Sequence, residues 1–584
     1  MDIAKVKKRF MGKDINVLKV TVDHPSSVPK AGEAISKLAG FDGKFEYDVR
    51  FYRKYLIDRE IHPLCLVNVK GVRSDENLDV DMVVEASSVE QISHEMLPEP
   101  YFCAFDIETY NYRGNPRAEI DPIMMVSVAF SDGERKVFTW KNFEDAEDYV
   151  EFVPGEMELI SGFVKYIKNK KPLFISGYNS DEFDMDYLRA RASKYGIKLD
   201  FSWDSTPMKF QRGGRRKVAR SKGMVHLDMY SFVRTVLSQK LKTETLDLNS
   251  VATELLGEKK HKVDWEDIWK MWDDGGDSLR KLVDYCLQDS VLTLKLTQKL
   301  MPLMFELTKL VGLPIFDISR VGMSQYVECH LMRHIHDEGE IAPNKPKRDE
   351  TLKRLSYTFE GAFVYQPEAG LYENVVVVDF RSLYPSIIVS HNISPDTLNC
   401  KCCRKGHETP EINRRHHRFC KKVKGLIPKV VEGLIKTRMD VKRQLKEKKD
   451  QILSARSEAL KLLANSFYGY LGFQIARWYC LECAEATTAW GRQYIKDTIK
   501  QAKKEFTVIY SDTDSVMMSI GDKKHEDVFD FIKKVNKKLP EMMELELEDF
   551  YKRGIFVPAK GGERGAKKKY ALVDEQGHLV IKGF

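Results

Sequence analysis

The chain has 584 residues, of which 43% are hydrophobic and 31% charged, with a formal net charge of +7. That length predicts about four domains at roughly 150 residues each, and so modest a charge is no argument for nucleic-acid binding by itself. No run approaches the ~18 apolar residues of a membrane helix, MDIAKVKKRF lacks an apolar signal core, and ten cysteines at this length do not make a secreted disulfide scaffold, so an intracellular multi-domain protein is expected. Neither G-x-x-x-x-G-K-[ST] nor G-x-G-x-x-G occurs, which leaves carboxylates and cations to carry any phosphate chemistry.

YFCAFDIET predicts a short apolar strand, Tyr101 to Phe105, ending in Asp106 and Glu108. Residues i and i+2 of a strand share a face, so both carboxylates point together while Ile107 packs behind. KPLFISGYNSDEFDMDYL repeats the plan: an apolar run, a turn over Gly177 to Ser180, then Phe183-Asp184 opening a helix. QRGGRRKVARSK predicts a basic hairpin that reads equally as a DNA-backbone contact or a solvated loop. LRKLVDYCLQDSVLTLKLTQKL predicts an amphipathic helix with Tyr285 and Asp289 at i and i+4. Each pattern alone is an ordinary strand end or helix face. Four carboxylates converging on one point repel unless divalent cations neutralise them, so Asp106, Glu108, Asp184 and Asp289 together read as a two-Mg²⁺ site for phosphodiester hydrolysis, with Tyr285 orienting the water.

ENVVVVDFRSLYPSII places four valines before Asp379, a strand buried on both faces that ends in a carboxylate. Such a carboxylate is costly without a cation. Next, Cys400, Cys402, Cys403, His407, His416, His417 and Cys420 crowd together. Their C-x-C-C spacing fits no standard finger, and zinc (Zn²⁺) ranks there behind free thiols or a disulfide. From Leu434 to Gly469 two helices are predicted, with Arg438 and Lys442, and again Lys461 and Asn465, at i and i+4. Those stripes suit a triphosphate, whereas Lys446, Lys448 and Lys449 read as a solvated face. VIYSDTDSVMM predicts two strands around a tip carrying Asp512 and Asp514, and GAKKKYALVD puts Lys568 and Tyr570 two apart on a strand.

DIE, YNSDEFD and YCLQD resemble the three motifs of the proofreading 3′→5′ exonuclease domain of archaeal family B DNA polymerases. DFRSLYPSI, KLLANSFYG and YSDTDS are similar to that family's motifs A, B and C, GAKKKYALVD to its K-x-Y element, and YTFEGAFV to its Y-x-G-G segment with Ala362 at the second glycine. The resemblance implies metal ligation by Asp106, Glu108, Asp184 and Asp289, and not by the neighbouring Asp181 and Asp186. It implies two Mg²⁺ ions in each active site. At the second site Asp379 and Asp514 hold them, a Phe380 or Leu383 carbonyl assists, and Asp512 is a subsidiary catalytic carboxylate. Attack of the primer 3′-OH on the α-phosphate follows. Arg438, Lys442, Lys461 and Asn465 would clamp the dNTP, and Tyr384 would pack under its sugar and exclude a 2′-OH. Tyr468 would meet the nascent base pair, and Gly361, Lys568 and Tyr570 would contact primer–template DNA. Cys480 and Cys483 match a pair that forms a disulfide in thermophilic members.

The implied fold is multi-domain α/β and α+β. A β-rich N-terminal domain spans 1–100, with 301–342 returning to it, and a ribonuclease-H-like exonuclease domain spans 101–300. An antiparallel-sheet palm over 343–427 and 474–584 is interrupted by helical fingers over 428–473, with no thumb after it. A small second subunit is therefore expected to bring the thumb in a heterodimer and to carry any PCNA contact. The substrates are primer–template DNA and dNTPs, no membrane is involved, and the setting is the nucleoid in the cytoplasm of an archaeal cell. Two alternatives are a chain that acts alone mainly as an exonuclease, and a non-catalytic replisome scaffold. Retention of all six metal carboxylates opposes the scaffold.

Overall fold

Burial on both faces makes Phe102–Thr109 the axis of one sheet: Asp106 alone among its residues keeps partial access to solvent. The structure is a computed structural model that describes residues 2–93, 100–112, 114–213, 216–259, 263, 266–559 and 565–583. It divides into two units, Tyr55–Tyr326 and Met1–Lys54 with Val327–Phe584.

The first unit is built on a six-stranded mixed sheet. Phe102–Thr109 lies at its middle, parallel to Phe174–Gly177 on one side and antiparallel to Ile123–Phe130 on the other. Alternation sends Cys103, Phe105 and Ile107 into a core with Leu159, Ile160 and Phe163 of the helix Glu156–Lys170. Ala104, Asp106 and Glu108 take the opposite face, against which the helix Gly276–Val311 packs. That helix buries Leu279, Leu282, Val283, Cys286 and Leu287 at helical spacing and stops where Gly312 adopts a left-handed φ of 76°. The shorter helix Asp184–Lys194 is tied down by Arg191, whose guanidinium donates to both oxygens of buried Glu156. The same carboxylate accepts from Ile123 N at 2.8 Å and Tyr195 Oη at 2.7 Å. Disrupting so buried a pair costs about 3–5 kcal/mol, enough to hold the Asp184 helix in place.

In the second unit a seven-stranded antiparallel sheet has Gly370–Phe380 between Ser515–Ser519 and Leu545–Pro558. Val375 to Val378 are buried on both faces, as four consecutive valines require. Among the helices of this unit are Leu383–Ser390, Leu426–Glu447, Gln451–Leu471 and Leu481–Ala502, of which the second and third pack as a pair. At the amino end Asp2–Phe10 and Lys13–Thr21 form a hairpin through Met11 and Gly12, both at positive φ. The segment after Gly339 returns to that hairpin, Ile341 N donating to Arg9 O at 2.8 Å. Buried Arg477 bonds to Asp48, Glu328 and the Pro343 carbonyl at 2.8, 3.3 and 3.0 Å. No helix among the described residues is long and apolar enough to cross a membrane.

Two candidate metal-carboxylate sites

In the first unit the ligand atoms of Asp106, Glu108 and Cys286 lie within 4.8 Å of one another. Asp184 opens its helix beside this group with only 3% of its surface exposed. Burial pushes its carboxyl up to about 7, the Asp228 and Asp289 carboxylates add to the rise, and the amides of Asp184 and Ile107 oppose it. The bond to the Ile107 amide sets Asp184 against the very residue that separates Asp106 from Glu108. Asp289 is buried one turn beyond Cys286, and its charge is felt at Asp184, so both acids flank the Asp106–Glu108 group. Tyr285 is half-buried among the apolar residues of the same helix face.

The neighbours that the pattern leaves out have other partners. Asp181 accepts from Arg320 at 2.7 and 3.1 Å, and Asp186 pairs with Arg189 at 2.6 Å and Lys217 at 3.0 Å. Motif reading passes over Asp228, which is fully buried at the end of the strand Val225–Asp228 and accepts from the Ser231 and Asp181 amides at 3.0 and 3.1 Å. Its signal is a short buried strand that ends in an acid, with His226 interrupting the apolar run.

The basic hairpin pairs Lys209–Gly213 with Arg216–Arg220, and residues 214–215 at its turn lie outside the described residues. Part of its charge is used internally: Arg220 stacks over Phe316 at 3.9 Å and pairs with Asp317 at 3.3 Å.

In the second unit Asp379 ends the valine strand opposite Ser515. The turn between Thr507–Asp512 and Ser515–Ser519 places Thr513 at a φ of 61°, and the Asp514 carbonyl accepts from Phe380 N at 2.9 Å. That bond sets the two aspartates side by side. Burial, then Asp514 and Glu548, raises the Asp379 carboxyl to about 8, while Lys461 opposes the rise. Asp514 is also raised, first by burial, with Asp512 and Glu548 adding. Asp512 lies 3.5 Å from the Lys568 ammonium. Phe380 and Leu383 are buried beside Asp379 in sequence, at 1% and 3% exposure.

Glu546 and Glu548 are further acids that motif reading misses. LELED carries the signal, since Glu546 and Glu548 sit two apart on the strand opposite Asp379. Arg381 ties up Glu546 at 3.0 Å.

Arg438, half-buried on Leu426–Glu447, has a buried Nε without a hydrogen-bond partner, and Lys442, Lys461 and Asn465 are exposed. The Tyr384 ring lies 4.5 Å from that of Tyr468. Gly491 lets it approach: a Cβ there would stand 3.1 Å from Tyr384 Cε1. Sequence reading also overlooks Arg492, an arginine on the buried face of an amphipathic helix. Its Nη1 donates to the carbonyls of Glu360 and Gly361 at 2.7 and 2.8 Å. Gly361 itself has open space where a Cβ would lie, and Ala362 does not need a left-handed backbone.

Lys568 adopts a φ of 62°, so strict strand alternation fails there: Lys567, Lys568 and Lys569 are all exposed. Tyr570 is buried against Phe556 and Tyr510. No disulfide joins any of the ten cysteines, Cys480 and Cys483 included.

The profile of DNA polymerase family B matches residues 314–584, and that of the family's exonuclease domain matches residues 43–251. A DNA polymerase of Pyrococcus glycovorans is 39% identical over 593 residues, covering 100% of this chain and 70% of the relative. This chain belongs to DNA polymerase family B. A Thermococcus gorgonarius DNA polymerase agrees, at 39% identity over 99% of this chain and 70% of its own length. Among solved structures, the family B DNA polymerase of the hyperthermophilic archaeon Pyrobaculum calidifontis superposes with a TM-score of 0.82 at 31% identity, covering 100% of this chain and 73% of that one. As a family B member the chain is a DNA polymerase with a 3′→5′ exonuclease domain, and divalent metals are typical of both domains.

The raised carboxyls give a testable pH dependence. Asp379 holds its proton to about 8 when folded, against about 4 in an unfolded chain. The folded metal-free protein therefore binds more protons, and this group's favourable contribution, complete below about pH 4, is lost as pH rises toward about 8. Asp184 adds the same trend up to about 7. Chemical denaturation of metal-free protein is expected to show stability falling from about pH 5 to about pH 8, and Mg²⁺ to restore more of it at the upper end. Asp379→Asn with Asp184→Asn should flatten both effects.

Proposed function

We propose that Asp379 and Asp514 bind two Mg²⁺ ions for template-directed DNA synthesis, and that Asp106, Glu108, Asp184 and Asp289 bind two more for 3′→5′ proofreading hydrolysis. One observation carries the reading: each unit sets carboxyls close together around a buried one, Asp184 beside the Asp106–Glu108 pair and Asp379 beside Asp514, where burial and neighbouring acids raise the carboxyl. That is the chemistry of a donor set waiting for divalent cations. Mg²⁺ bound there supplies a lowered pKa for the attacking hydroxyl or water and charge compensation at the leaving oxygen.

The chain's own residues do the positioning. The orphaned Arg438 Nε is a donor for a phosphate oxygen, and Lys461, close enough to oppose the rise at Asp379, adds charge where the triphosphate would lie. Lys442 and Asn465 extend those two stripes by one turn each. Tyr384, wedged by Tyr468 and admitted by Gly491, presents a fixed ring to the sugar, and Leu383 supports it from the same helix. Asp512, partly neutralised by Lys568, serves as the subsidiary carboxylate, and Phe380 offers its carbonyl as a further oxygen ligand. Tyr285 orients the hydrolytic water. Gly361, held by Arg492, and Lys568 with Tyr570 lie along the primer–template path.

The domain reading is 1–100 with 301–342 for the N-terminal part, 101–300 for the exonuclease, 343–427 and 474–584 for the palm, and 428–473 for the fingers. The antiparallel sheet and the paired helices Leu426–Glu447 and Gln451–Leu471 support the last two. Relatives are longer than the stretch matched here, which covers 70% of them. Backbone contacts from a further segment would strengthen the grip on duplex DNA. A second polypeptide bearing that segment, and any PCNA contact, is expected to co-purify from native cells and to stimulate primer extension. Native protein that extends primers processively as this chain alone rejects it.

Asp379→Ala should lower synthesis by about 10³-fold, the several kcal/mol that metal stabilisation supplies, and leave hydrolysis of single-stranded ends intact. Asp106→Ala should do the reverse. Both activities lost in both variants would refute two separate sites. Tyr384→Val is expected to raise ribonucleotide incorporation about 10–200-fold, the range open to one steric contact, in single-nucleotide insertion assays.

A further inference from the structure

Between the helices Leu383–Ser390 and Leu426–Glu447 the chain makes a looped excursion that neither carboxylate site uses. The Sγ atoms of Cys400, Cys402, Cys403 and Cys420 all lie within 4.8 Å of one another there. Cys402 to Cys420 is 3.4 Å, Cys403 to Cys420 is 3.7 Å, and Cys402 to Cys403 is 3.8 Å. A tetrahedron of thiolates at about 2.3 Å from a zinc ion has edges of about 3.8 Å, so these separations are those of ligands around one small cation.

The three histidines of the segment turn elsewhere. His407 sits edge-on to His391, His416 Nδ1 bonds the Thr409 carbonyl at 2.7 Å, and His417 Nε2 meets Glu485 at 3.1 Å. Seven candidate ligands in sequence thus resolve into four thiols. The backbone is arranged for thiolates as well: the amides of Lys422 and Val423 donate to Cys420 Sγ at 3.4 and 3.3 Å. Charge is arranged likewise. Lys401, Arg404, Lys405, Lys421 and Lys422 flank the cysteines and are exposed, which suits the net −2 of a zinc tetrathiolate.

We infer that Cys400, Cys402, Cys403 and Cys420 bind one zinc ion in a structural, four-thiolate site. Binding releases the thiol protons and leaves no open position, so the ion has no part in phosphoryl transfer. Its effect is mechanical. Asn392 Nδ2 holds the carbonyls of Cys420 and Val423 at 2.7 and 2.8 Å, and its Oδ1 accepts from Gly425 N at 2.9 Å. Gly425 caps the helix that carries Arg438 and Lys442, so the zinc loop fixes the root of that helix.

Protein purified without chelator and dialysed against Mg²⁺ should contain one zinc per chain by elemental analysis, released by an organomercurial and detected with a chromogenic chelator. Cobalt exchanged into the wild-type protein should give the intense visible bands of tetrahedral thiolate coordination. Cys402→Ser, at an exposed ligand, should lose at least about 90% of the zinc and lower Tm, whereas Cys480→Ser keeps full zinc. Wild-type protein without zinc in which all four thiols alkylate freely, or in which peptide mapping finds a Cys400–Cys420 disulfide, overturns the site. So does a cobalt spectrum without thiolate bands.

Discussion

Repulsion among buried carboxylates is the constraint on which both halves of this polymerase depend. Two ionised groups a few ångströms apart in a partly desolvated site repel by several kcal/mol at effective dielectric constants near 20. The fold brings such groups together twice, each time on a central strand whose burial cannot be relaxed: Asp106 lies within its strand, which runs past the expected end at Phe105 to Thr109, and Asp379 lies next to the end of its own. Phe102–Thr109 and Gly370–Phe380 are central strands, and their apolar residues anchor Asp106 and Asp379 against retreat into solvent. The remaining acids arrive on separate elements: Asp184 on a helix opening, Asp289 on a long helix, and Asp514 on a tight turn. Local propensity explains none of these meetings; packing of the elements does.

The same logic accounts for the cations. Arg438 and Lys461 belong to two helices that pack side by side, and each is felt at the acidic cluster through a different acid, Glu546 for one and Asp379 for the other. Asp379 therefore stands between acids that hold its proton and a lysine that favours its charge. Arg381, paired with Glu544 and Glu546, keeps part of the strand opposite from adding further repulsion.

Much of this was legible from residue order. A valine run ending in aspartate, D-x-E on an apolar strand and Y-x-x-x-D on an amphipathic helix are local patterns, and local patterns survive folding. The sheet axis of each unit and Asp106, Glu108, Asp289 and Asp379 could be named on that basis, whereas choosing Asp184 over Asp181 and Asp186, and Asp514 over Asp512, took the resemblance to the family's motifs. Asp228, Glu548 and Arg492 escaped because their significance is non-local: each looks like an ordinary strand-end acid or helix arginine until another element is laid against it. Lys568 was named from the sequence, but its conformation was not foreseen. Strand alternation was assumed through it, and a single left-handed residue interrupts the period. The cysteine cluster was hardest to read, because convergence of Cys420 with the C-x-C-C group depends on how the short hairpin His407–Glu408 with Arg418–Phe419 closes the loop.

Buried Arg477 has a further implication, for how the chain comes to be folded. Its bond to Asp48 joins positions 429 residues apart, with the whole of Tyr55–Tyr326 emerging between them. At about 5–20 residues per second of synthesis, the amino-terminal segment waits roughly 20–90 s for its guanidinium partner to leave the ribosome. During that interval the intervening unit can complete its own core, whereas the flanking unit cannot close. Assembly of the synthetic half is thereby timed by translation, and the trimming half takes shape first.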